Sequence, residues 1–360
     1  MGFSWKQRTR CGLLALVCLL ALTGCGGQKQ ESQAIPARTQ ALLDRTDTPD
    51  AIDQELAERF TATQKAARKL IRKQGDTVTV IHKYGTTTIP RDPRRILVIR
   101  LEDLTEALDV PVVAANYNSQ SYLYEGLKAR GAVPISVNDS SKTINYEEVQ
   151  AAKPDLILLR DSFDQSVYEK LNKIAPTAAF DIRREETALL ALSMALGEEK
   201  KGETRLRQFY DTVKRDRLQL HRTIGNRKVA FLRIMNREVR LYPYTRNDIN
   251  RFMYDLLDLK PPAMVLEADA SRTNNAISLE RLPDLDADYL LVSTGYGASS
   301  GESSSIAREK YRKLQQDALW KLIPAVRDNH VHEVNSLIWN AHGIIAKELA
   351  MEEIVEAWGK

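Results

Sequence analysis

Arginine and aromatic residues follow the predicted strands of this 360-residue chain, at the points where the strands end. These positions are Arg100, Tyr117, Arg160 and Arg183 before residue 185, and Arg233, Tyr242, Tyr244, Tyr296 and Trp339 after residue 225. Ligands of open α/β sheets bind beyond the carboxyl ends of the strands, so we expect these side chains to face a common cleft. Guanidinium groups bind oxyanions through paired hydrogen bonds, and aromatic rings cover apolar ligand surface. Arg233 is the strongest single candidate, because Phe231-Leu232-Arg233 places it at the end of a predicted strand, although any one of these arginines alone is typical of a solvated rim.

A different chemistry is suggested by the segment Gly297-Ala298-Ser299-Ser300-Gly301, which fits the Gly-x-Ser-x-Gly turn of α/β hydrolases. That turn places its serine sharply between a strand and a helix. Here a Gly- and Ser-rich run separates Ser293 from the next predicted helix, which starts at Ile306. A flexible loop explains this composition better than a nucleophile does, and a hydrolase using Ser299 is kept as the more distant alternative.

Histidines offer a third chemistry. His330 and His332 alternate along a predicted strand and His342 follows them, a set that could hold zinc or manganese. His82 and His221 fall in the predicted opening hairpin and in a long helix, away from the strand ends. We therefore expect no metal ion to be bound directly by the protein.

The N-terminal segment predicts export and lipid attachment. Three basic residues precede a short apolar run at 12–22, which is typical of a secretory signal and too short to span a bilayer. The following Leu22-Thr23-Gly24-Cys25 resembles the lipobox of bacterial lipoproteins, which implies acylation of Cys25 and a mature chain that begins there. More than one acyl chain would give stable anchoring, whereas an ordinary cleaved signal is the alternative.

Composition excludes several classes of function. Cys11 and Cys18 lie in the signal, so acylation of Cys25 leaves no thiol for a disulfide, a metal site or a nucleophile. The formal charge is +4, and Lys6, Arg8 and Arg10 supply three of these charges, which leaves +1 after the signal is removed. A nearly neutral chain lacks the basic field of nucleic-acid-binding proteins.

The order of predicted elements indicates parallel α/β architecture. Short β-rich runs alternate with helical patterns over 77–184, and the alternation resumes after Gly225. Between them lies a highly charged helical stretch at 185–223 with a break at Gly197 and no strand candidate. Before residue 77 a polar segment contains one helix with Ile52, Leu56 and Phe60 on one side, which we expect to be a solvated spacer.

Several short segments occur in a recognisable order: Ile89-Pro90, Pro93-Arg94-Arg95-Ile96, Lys153-Pro154-Asp155-Leu156-Ile157, Ile174-Ala175-Pro176-Thr177 and Ala325-Val326-Arg327-Asp328-Asn329-His330-Val331. Together they resemble the iron-siderophore substrate-binding proteins of ABC transporters, from about Thr77 to the C-terminus. The resemblance implies two α/β lobes joined by one rigid helix, with a ferric siderophore held between them and delivered to a membrane permease. A rigid helical connection predicts only small closure on binding.

The resemblance also assigns a role to two glutamates. In relatives that bind cobalamin or siderophores, an exposed glutamate on each lobe docks into arginine pockets of the permease. Glu147 precedes Lys153-Pro154-Asp155, and Glu280 precedes Asp286-Ala287-Asp288, with six residues from glutamate to strand motif in both halves. A carboxylate in the first turn of a helix is favoured by the helix dipole and stays exposed, although both residues could simply be helix-start acids.

These observations predict a non-enzymatic α/β protein with two α/β lobes joined by a long helical crossbar. The predicted bounds are 1–24 for the signal peptide, 25–76 for the anchor and spacer, 77–184 for the first lobe, 185–224 for the connecting helix and 225–360 for the second lobe. We expect a monomer, anchored by lipid on the extracytoplasmic face of the cell membrane and without a resident cofactor. The expected partners are an ABC permease and a ferric siderophore, of hydroxamate or citrate type because arginine outnumbers lysine in the cleft loops. Haem or cobalamin binding by the same fold is the alternative ligand class, and an extracytoplasmic serine hydrolase is the more distant alternative.

Overall fold

The computed structural model describes residues 47–90, 92–138, 143–245, 247–295 and 301–359, without the side chains of 301–304. Cys25, Tyr296 and Ser299 therefore lie outside the described residues. Within the described part of the chain, no helix combines the length and the apolar character needed to cross a membrane.

The described chain begins with a helix and a small antiparallel sheet. Their bounds are α1 (Pro49–Arg68), β1 (Ile71–Gln74), β2 (Thr77–His82) and β3 (Gly85–Ile89). The predicted hairpin is present, and β1 adds a strand to its first edge. At its turn, Lys83 Nζ donates to the carbonyl of Asp161 (2.9 Å), and the Tyr84 hydroxyl donates to that of Phe163 (2.7 Å). These bonds fix the hairpin to the loop that follows a central strand of the first lobe.

The first lobe is built on a five-stranded parallel sheet. Its elements are β4 (Ile96–Ile99), α2 (Glu102–Ala107), β5 (Ala114–Ala115), α3 (Tyr124–Ala129), β6 (Val133–Pro134), β7 (Val137–Asn138), β8 (Thr143–Ile144), α4 (Tyr146–Ala151), β9 (Leu156–Arg160), α5 (Gln165–Asn172) and β10 (Thr177–Phe180). The strand order is β10-β9-β4-β5-β6, while β7 and β8 form a separate antiparallel pair. The sequence predicts one strand over 134–137, and the structure divides this segment between β6 and β7. Strand β4 is apolar and buried along its length, and β9 is so up to its last residue, Arg160, as a parallel sheet covered on both faces requires.

Two consecutive helices connect the lobes, α6 (Glu185–Ala195) and α7 (Glu199–Thr223). Gly197, with φ +78°, provides the left-handed residue at the predicted break between them. Helix α6 is apolar and buried on almost every face. Helix α7 is 25 residues long and strongly amphipathic.

The second lobe contains a five-stranded mixed sheet. Its elements are β11 (Val229–Ile234), β12 (Val239–Leu241), α8 (Asp248–Arg251), α9 (Ala263–Glu267), β13 (Asn275–Ile277), β14 (Tyr289–Thr294), α10 (Gly301–Leu314), α11 (Pro324–Arg327), β15 (Val331–Glu333), α12 (Ser336–Trp339) and α13 (Ile344–Trp358). The strand order is β13-β12-β11-β14-β15, with β11, β14 and β15 parallel. A π-helical turn, Phe252–Leu256, continues α8, and α10 starts five residues earlier than the sequence predicts.

Helix α1 is part of the folded body, and our expectation of a solvated spacer is wrong. Ile52, Leu56 and Phe60 are buried, and α1 packs against both α6 and α7. Its charged face is also engaged, because Arg59 forms an ion pair with Glu186 of α6 (2.8 Å). The charged residues that suggest solvation in the sequence are therefore partners for the connecting helices.

Candidate functional site

A pocket opens at the carboxyl end of the second lobe's sheet. Its wall includes Arg233, Tyr242, Asp248, Trp339 and His342, which come from β11, the residue after β12, α8, α12 and the loop before α13. An adjoining groove shares Asp248, Phe252 and Lys347 with this pocket and reaches Arg183 of the first lobe and Arg59 of α1. The two depressions together form the cleft described below.

Aromatic side chains make the apolar wall of the pocket. Trp339 is buried and stacks on Phe231, with ring centroids 5.8 Å apart and planes 13° from parallel. Phe252 meets the same indole edge-on at 6.0 Å. Trp339 Nε1 donates to Glu353 (2.8 Å), so the orientation of the ring is fixed by a carboxylate behind it. Burial raises the pKa of Glu353, but hydrogen bonds from His332, Asn335 and Trp339 outweigh this and lower it.

Arg233 lies at the end of β11, where the sequence predicts it. Its Nε donates to the carbonyl of Gly295 (2.8 Å), the residue that follows β14. The guanidinium is thus held between two neighbouring strand ends on the pocket wall. A planar donor fixed in this way is suited to receive ligand oxygens.

Arg160, the last residue of β9, meets the second lobe. Its Nη2 lies 3.3 Å from Nε2 of His342. Its Nε is buried and has no hydrogen-bond partner among the described residues. Burial lowers the pKa of Arg160, as do the nearby charges of Arg100 and Arg183, while Asp161 and Asp248 oppose the change. A buried donor without an acceptor costs free energy, on the order of 1–3 kcal/mol, so the position favours a ligand that supplies one.

Arg100 follows β4 with φ +63°, a conformation that is strained for a residue with a side chain. The buried carboxylate of Glu102 stabilises it, because one oxygen accepts from the backbone N–H of Arg100 (2.9 Å) and from that of Asn116 (3.0 Å). Burial raises the pKa of Glu102, and the charge of Arg100 opposes that shift. Backbone strain of this kind is concentrated at functional sites.

Four of the predicted residues, Arg100, Tyr117, Arg160 and Tyr244, line neither the pocket nor the groove, and Arg160 reaches the pocket wall through its contact with His342. Tyr117 donates its hydroxyl to the carbonyl of Ala132 (2.5 Å) within the first lobe. Tyr244 is buried, stacks on Tyr254 (5.5 Å) and donates to Asp255 (2.8 Å). The two tyrosines follow strands as expected, but their side chains are used in packing. Arg183 lines the groove with a largely exposed side chain, paired with Asp181 at 2.8 Å.

The structure adds three residues that our sequence prediction of the cleft omits: Asp248, His342 and Lys347. Asp248 begins α8, and Lys347 of α13 contacts Glu185 of the connecting helix α6. His342 links Arg160 of the first lobe to Asp248. The sequence signal for Asp248 is the preceding Asn247, a residue that favours a helix start shortly after strand β12, at the edge of the sheet where ligands bind.

The histidines do not form the metal set considered from the sequence. His330 stacks on Tyr289 (4.3 Å), His332 contacts Glu353 (3.2 Å), and His342 lies in the cleft. Among the described residues, a grouping with suitable spacing is Asp47, His221 and Asp258. Its two acids already pair with Arg217 and Lys260, so the local charge is balanced without an ion.

Glu147 and Glu280 occupy equivalent places in the two lobes. Each is exposed and is the second residue of a helical segment that precedes a central strand, α4 before β9 and the 3₁₀ segment Leu279–Asp284 before β14. The Asn145 side chain caps α4 by accepting from the N–H of Glu147 (3.1 Å). Hydrogen bonds from its own backbone N–H and from Ser278 lower the pKa of Glu280, which keeps the carboxylate charged.

Comparison with known proteins places these observations in a family. The family model described as "Periplasmic binding protein" matches residues 100–336. The Fe(3+) dicitrate-binding periplasmic protein FecB of Escherichia coli (strain K12) is 30% identical over 287 residues, 77% of this chain and 89% of that protein. The probable siderophore-binding lipoprotein YfiY of Bacillus subtilis (strain 168) is 29% identical, covering 77% of this chain and 86% of that protein.

Solved structures show the same fold. Staphylococcus aureus SirA complexed with staphyloferrin B superposes with a TM-score of 0.66 at 22% identity, covering 78% of this chain and 97% of that chain. FeuA of Bacillus subtilis complexed with ferri-bacillibactin gives a TM-score of 0.62 at 20% identity. At these identities the likeness establishes the two-lobed fold alone.

Proposed function

Because this chain belongs to the periplasmic binding protein family, whose members bind solutes and do not catalyse reactions, we propose that it captures a ferric siderophore for an ABC importer. The observation that carries the proposal is the buried Nε of Arg160, which has no acceptor among the described residues and lies at the carboxyl end of β9 beside the cleft. Ferric siderophore complexes present carboxylate, hydroxamate or catecholate oxygens, and such oxygens are the acceptors that a guanidinium prefers.

The rest of the cleft is consistent with such a ligand. Arg233 offers a second guanidinium on the pocket wall, and Trp339 and Tyr242 offer aromatic surface for the apolar parts of a chelate. Arginine rather than lysine at these positions favours planar oxygen pairs, so we expect hydroxamate or citrate-type complexes.

We also propose that Cys25 anchors the protein by lipid and that Glu147 and Glu280 dock on the permease. The name of the relative YfiY as a lipoprotein supports the first proposal. The exposed, equivalent positions of the two glutamates support the second. Like-charge contacts at such an interface are costly, which gives the docking proposal a direct test.

The binding proposal is tested by titrating the purified protein with ferric citrate, a ferric hydroxamate, a ferric catecholate and haem, while tryptophan fluorescence is recorded. Trp339→Phe identifies the part of the signal that comes from the pocket. Arg160→Gln should weaken binding by about 1.5–3 kcal/mol, the range for a hydrogen bond to a charged group. Arg312→Gln, an exposed arginine of α10 paired with Glu309, is the matched control and should bind normally.

Saturable quenching by an iron complex with the expected loss in Arg160→Gln supports the proposal. Saturable quenching by haem alone would replace the siderophore with the alternative ligand class, and no response to any of these compounds contradicts a siderophore function. Equal affinity of Arg160→Gln and the control would mean that Arg160 is not a ligand contact.

A further inference from the structure

His342 contacts charged groups from both lobes. Its Nδ1 lies 3.2 Å from Oδ2 of Asp248, and its Nε2 lies 3.3 Å from Nη2 of Arg160. A guanidinium can only donate, so Nε2 must accept and carries no proton. An ionised carboxylate can only accept, so Nδ1 carries the proton. The two contacts therefore select the neutral imidazole with its proton on Nδ1.

We propose that an oxyanion of the ligand displaces this imidazole from Arg160 and that His342 then takes up a proton. This inference rests on the proposed function, in which Arg160 binds ligand oxygens. A charged oxygen is a stronger partner for a guanidinium than a neutral ring nitrogen is, so the ligand wins the competition. The released Nε2 then lies beside a negative ligand while Asp248 holds Nδ1, and both favour the imidazolium.

The surrounding charges support this direction. The charged groups near the ring and near Arg160 are Asp248, Arg233 and Lys347 around the pocket, and Arg100, Asp161 and Arg183 around Arg160. Asp103 of α2 also lies against Gly343, the residue next to His342, and burial raises the pKa of Asp103 to about 6, so its titration must be common to the native protein and the variant used in the test. Lys347 is paired with Glu185, and Arg183 with Asp181. On its Nε2 side the ring faces the cation of Arg160 (3.3 Å), and the charge of that cation is offset once an anion of the ligand binds there. Ligand binding and protonation of His342 are thus linked, and each strengthens the other.

The test compares the native protein with His342→Gln. A glutamine carbonyl can accept from Arg160 and its amide can donate to Asp248, so both hydrogen bonds are retained while the titratable proton is removed. The dissociation constant for ferric citrate is measured by fluorescence from about pH 8 to about pH 5.5, the range over which histidine titrates. Because ferric citrate itself changes with pH, only the difference in slope between the two proteins is interpreted.

The native protein should gain affinity relative to His342→Gln as the pH falls, by several-fold over this range and by at most about tenfold for each pH unit. Calorimetry of both proteins in buffers of different ionisation enthalpy gives a second readout. The native protein should take up more protons on binding at pH ~7 than His342→Gln does, and the comparison subtracts uptake by Lys347, whose pKa burial lowers to about 7. Equal slopes, or equal proton uptake by the two proteins, overturn the linkage while leaving the proposed function intact. Failure of both proteins to bind any of the four ligand classes overturns the proposed function and the linkage with it.

Discussion

Gly343 lies directly against the carboxylate of Asp103, and this contact joins the two lobes. A Cβ atom at position 343 would lie 2.1 Å from Cγ of Asp103. Asp103 belongs to α2 of the first lobe, and it accepts from the backbone N–H groups of Ile345 (3.0 Å) and Ala346 (2.9 Å) in the first turn of α13. Such N–H groups have no partner within their own helix, and a carboxylate is favoured by the dipole there. We call this contact of Asp103 with Gly343, Ile345 and Ala346 the interlobe joint, and it positions the loop that carries His342.

Replacing Gly343 should destabilise the protein strongly. Its φ of +134° belongs to a region that only glycine adopts readily, and an added methyl group would overlap Asp103. We expect Gly343→Ala to lower the free energy of unfolding by about 2–4 kcal/mol in urea titrations. Gly75→Ala is the control, because Gly75 also has positive φ (+58°) but no heavy atom lies within 4 Å of the added Cβ. If Gly75→Ala lowered the free energy of unfolding as much as Gly343→Ala does, overlap with Asp103 would contribute nothing to the loss.

The interlobe joint should also make the free energy of unfolding depend on pH. Burial raises the pKa of Asp103 to about 6, although hydrogen bonds from Ala346, Tyr122 and Ile345 oppose the shift. A carboxyl whose pKa is higher in the folded state is stabilising when protonated, fully so below its unfolded pKa of about 4. That contribution is lost as the pH rises through about 6. Relative to Asp103→Asn, the native protein should thus lose up to about 3 kcal/mol between pH ~4 and pH ~7.

Urea unfolding of the native protein and of Asp103→Asn at several pH values measures this difference. Subtracting one free energy of unfolding from the other removes the contribution of most other titrating groups. A native protein that instead becomes more stable than Asp103→Asn as the pH rises would show that the hydrogen bonds outweigh burial.

Helix α1 should contribute measurably to stability through Arg217 of α7. This arginine is fully buried and is paired with Asp47, and its Nη1 donates to Glu55 of α1 (3.0 Å) and to the carbonyl of Leu256 (3.3 Å). Arg217→Ala removes the guanidinium shared by Asp47 and Glu55 and leaves the buried Asp47 with His221 (3.1 Å) as its remaining ion-pair partner, so we expect a loss of about 3–5 kcal/mol. Arg312→Ala, which breaks an exposed pair, should cost at most about 1 kcal/mol. Thermal and urea unfolding of the two variants measure the difference. Equal losses of stability in Arg217→Ala and Arg312→Ala would show that α1 is not held by this contact.

The sequence predicts the parts of this fold that local pattern determines. The apolar runs of β4 and β9 identify buried parallel strands, and Gly197 marks the break between α6 and α7. The ends of strands likewise locate Arg160 and Arg233. None of these assignments needs knowledge of residues distant in the chain.

Contacts between distant segments are what the sequence could not supply. Arg160 and His342 are 182 positions apart, and their meeting depends on the orientation of the two lobes. The position of Tyr244 after a strand does not reveal that its hydroxyl donates to Asp255 instead of facing the cleft. The charged face of α1 resembles a solvated surface because its partners, such as Glu186, lie more than a hundred residues away.

The proposed lipid anchor is tested by Cys25→Ser. Loss of the proposed acylation site should release the protein from the membrane fraction, or leave the signal uncleaved, while ligand binding is unchanged. A single acyl chain binds membranes only marginally, so release should be nearly complete when all chains are absent. Cell fractionation and mass spectrometry of the N-terminus make the measurement, with the native protein as the control. A native N-terminus at any residue other than an acylated Cys25 contradicts the proposal.

The proposed contact of Glu147 and Glu280 with the permease is tested by a variant that should bind the ligand but fail to deliver it. Glu147 and Glu280 are exposed, and neither lines the pocket or the groove, so the double variant Glu147→Arg, Glu280→Arg should bind ferric siderophore with near-normal affinity in solution. Uptake by cells should fail, because like charges placed at the interface cost several kcal/mol, roughly enough to prevent docking. Glu169→Arg reverses an exposed charge on α5 and is the control for charge reversal itself. Normal uptake by the double variant would refute the docking role, whereas lost binding would place these glutamates in the cleft or the fold.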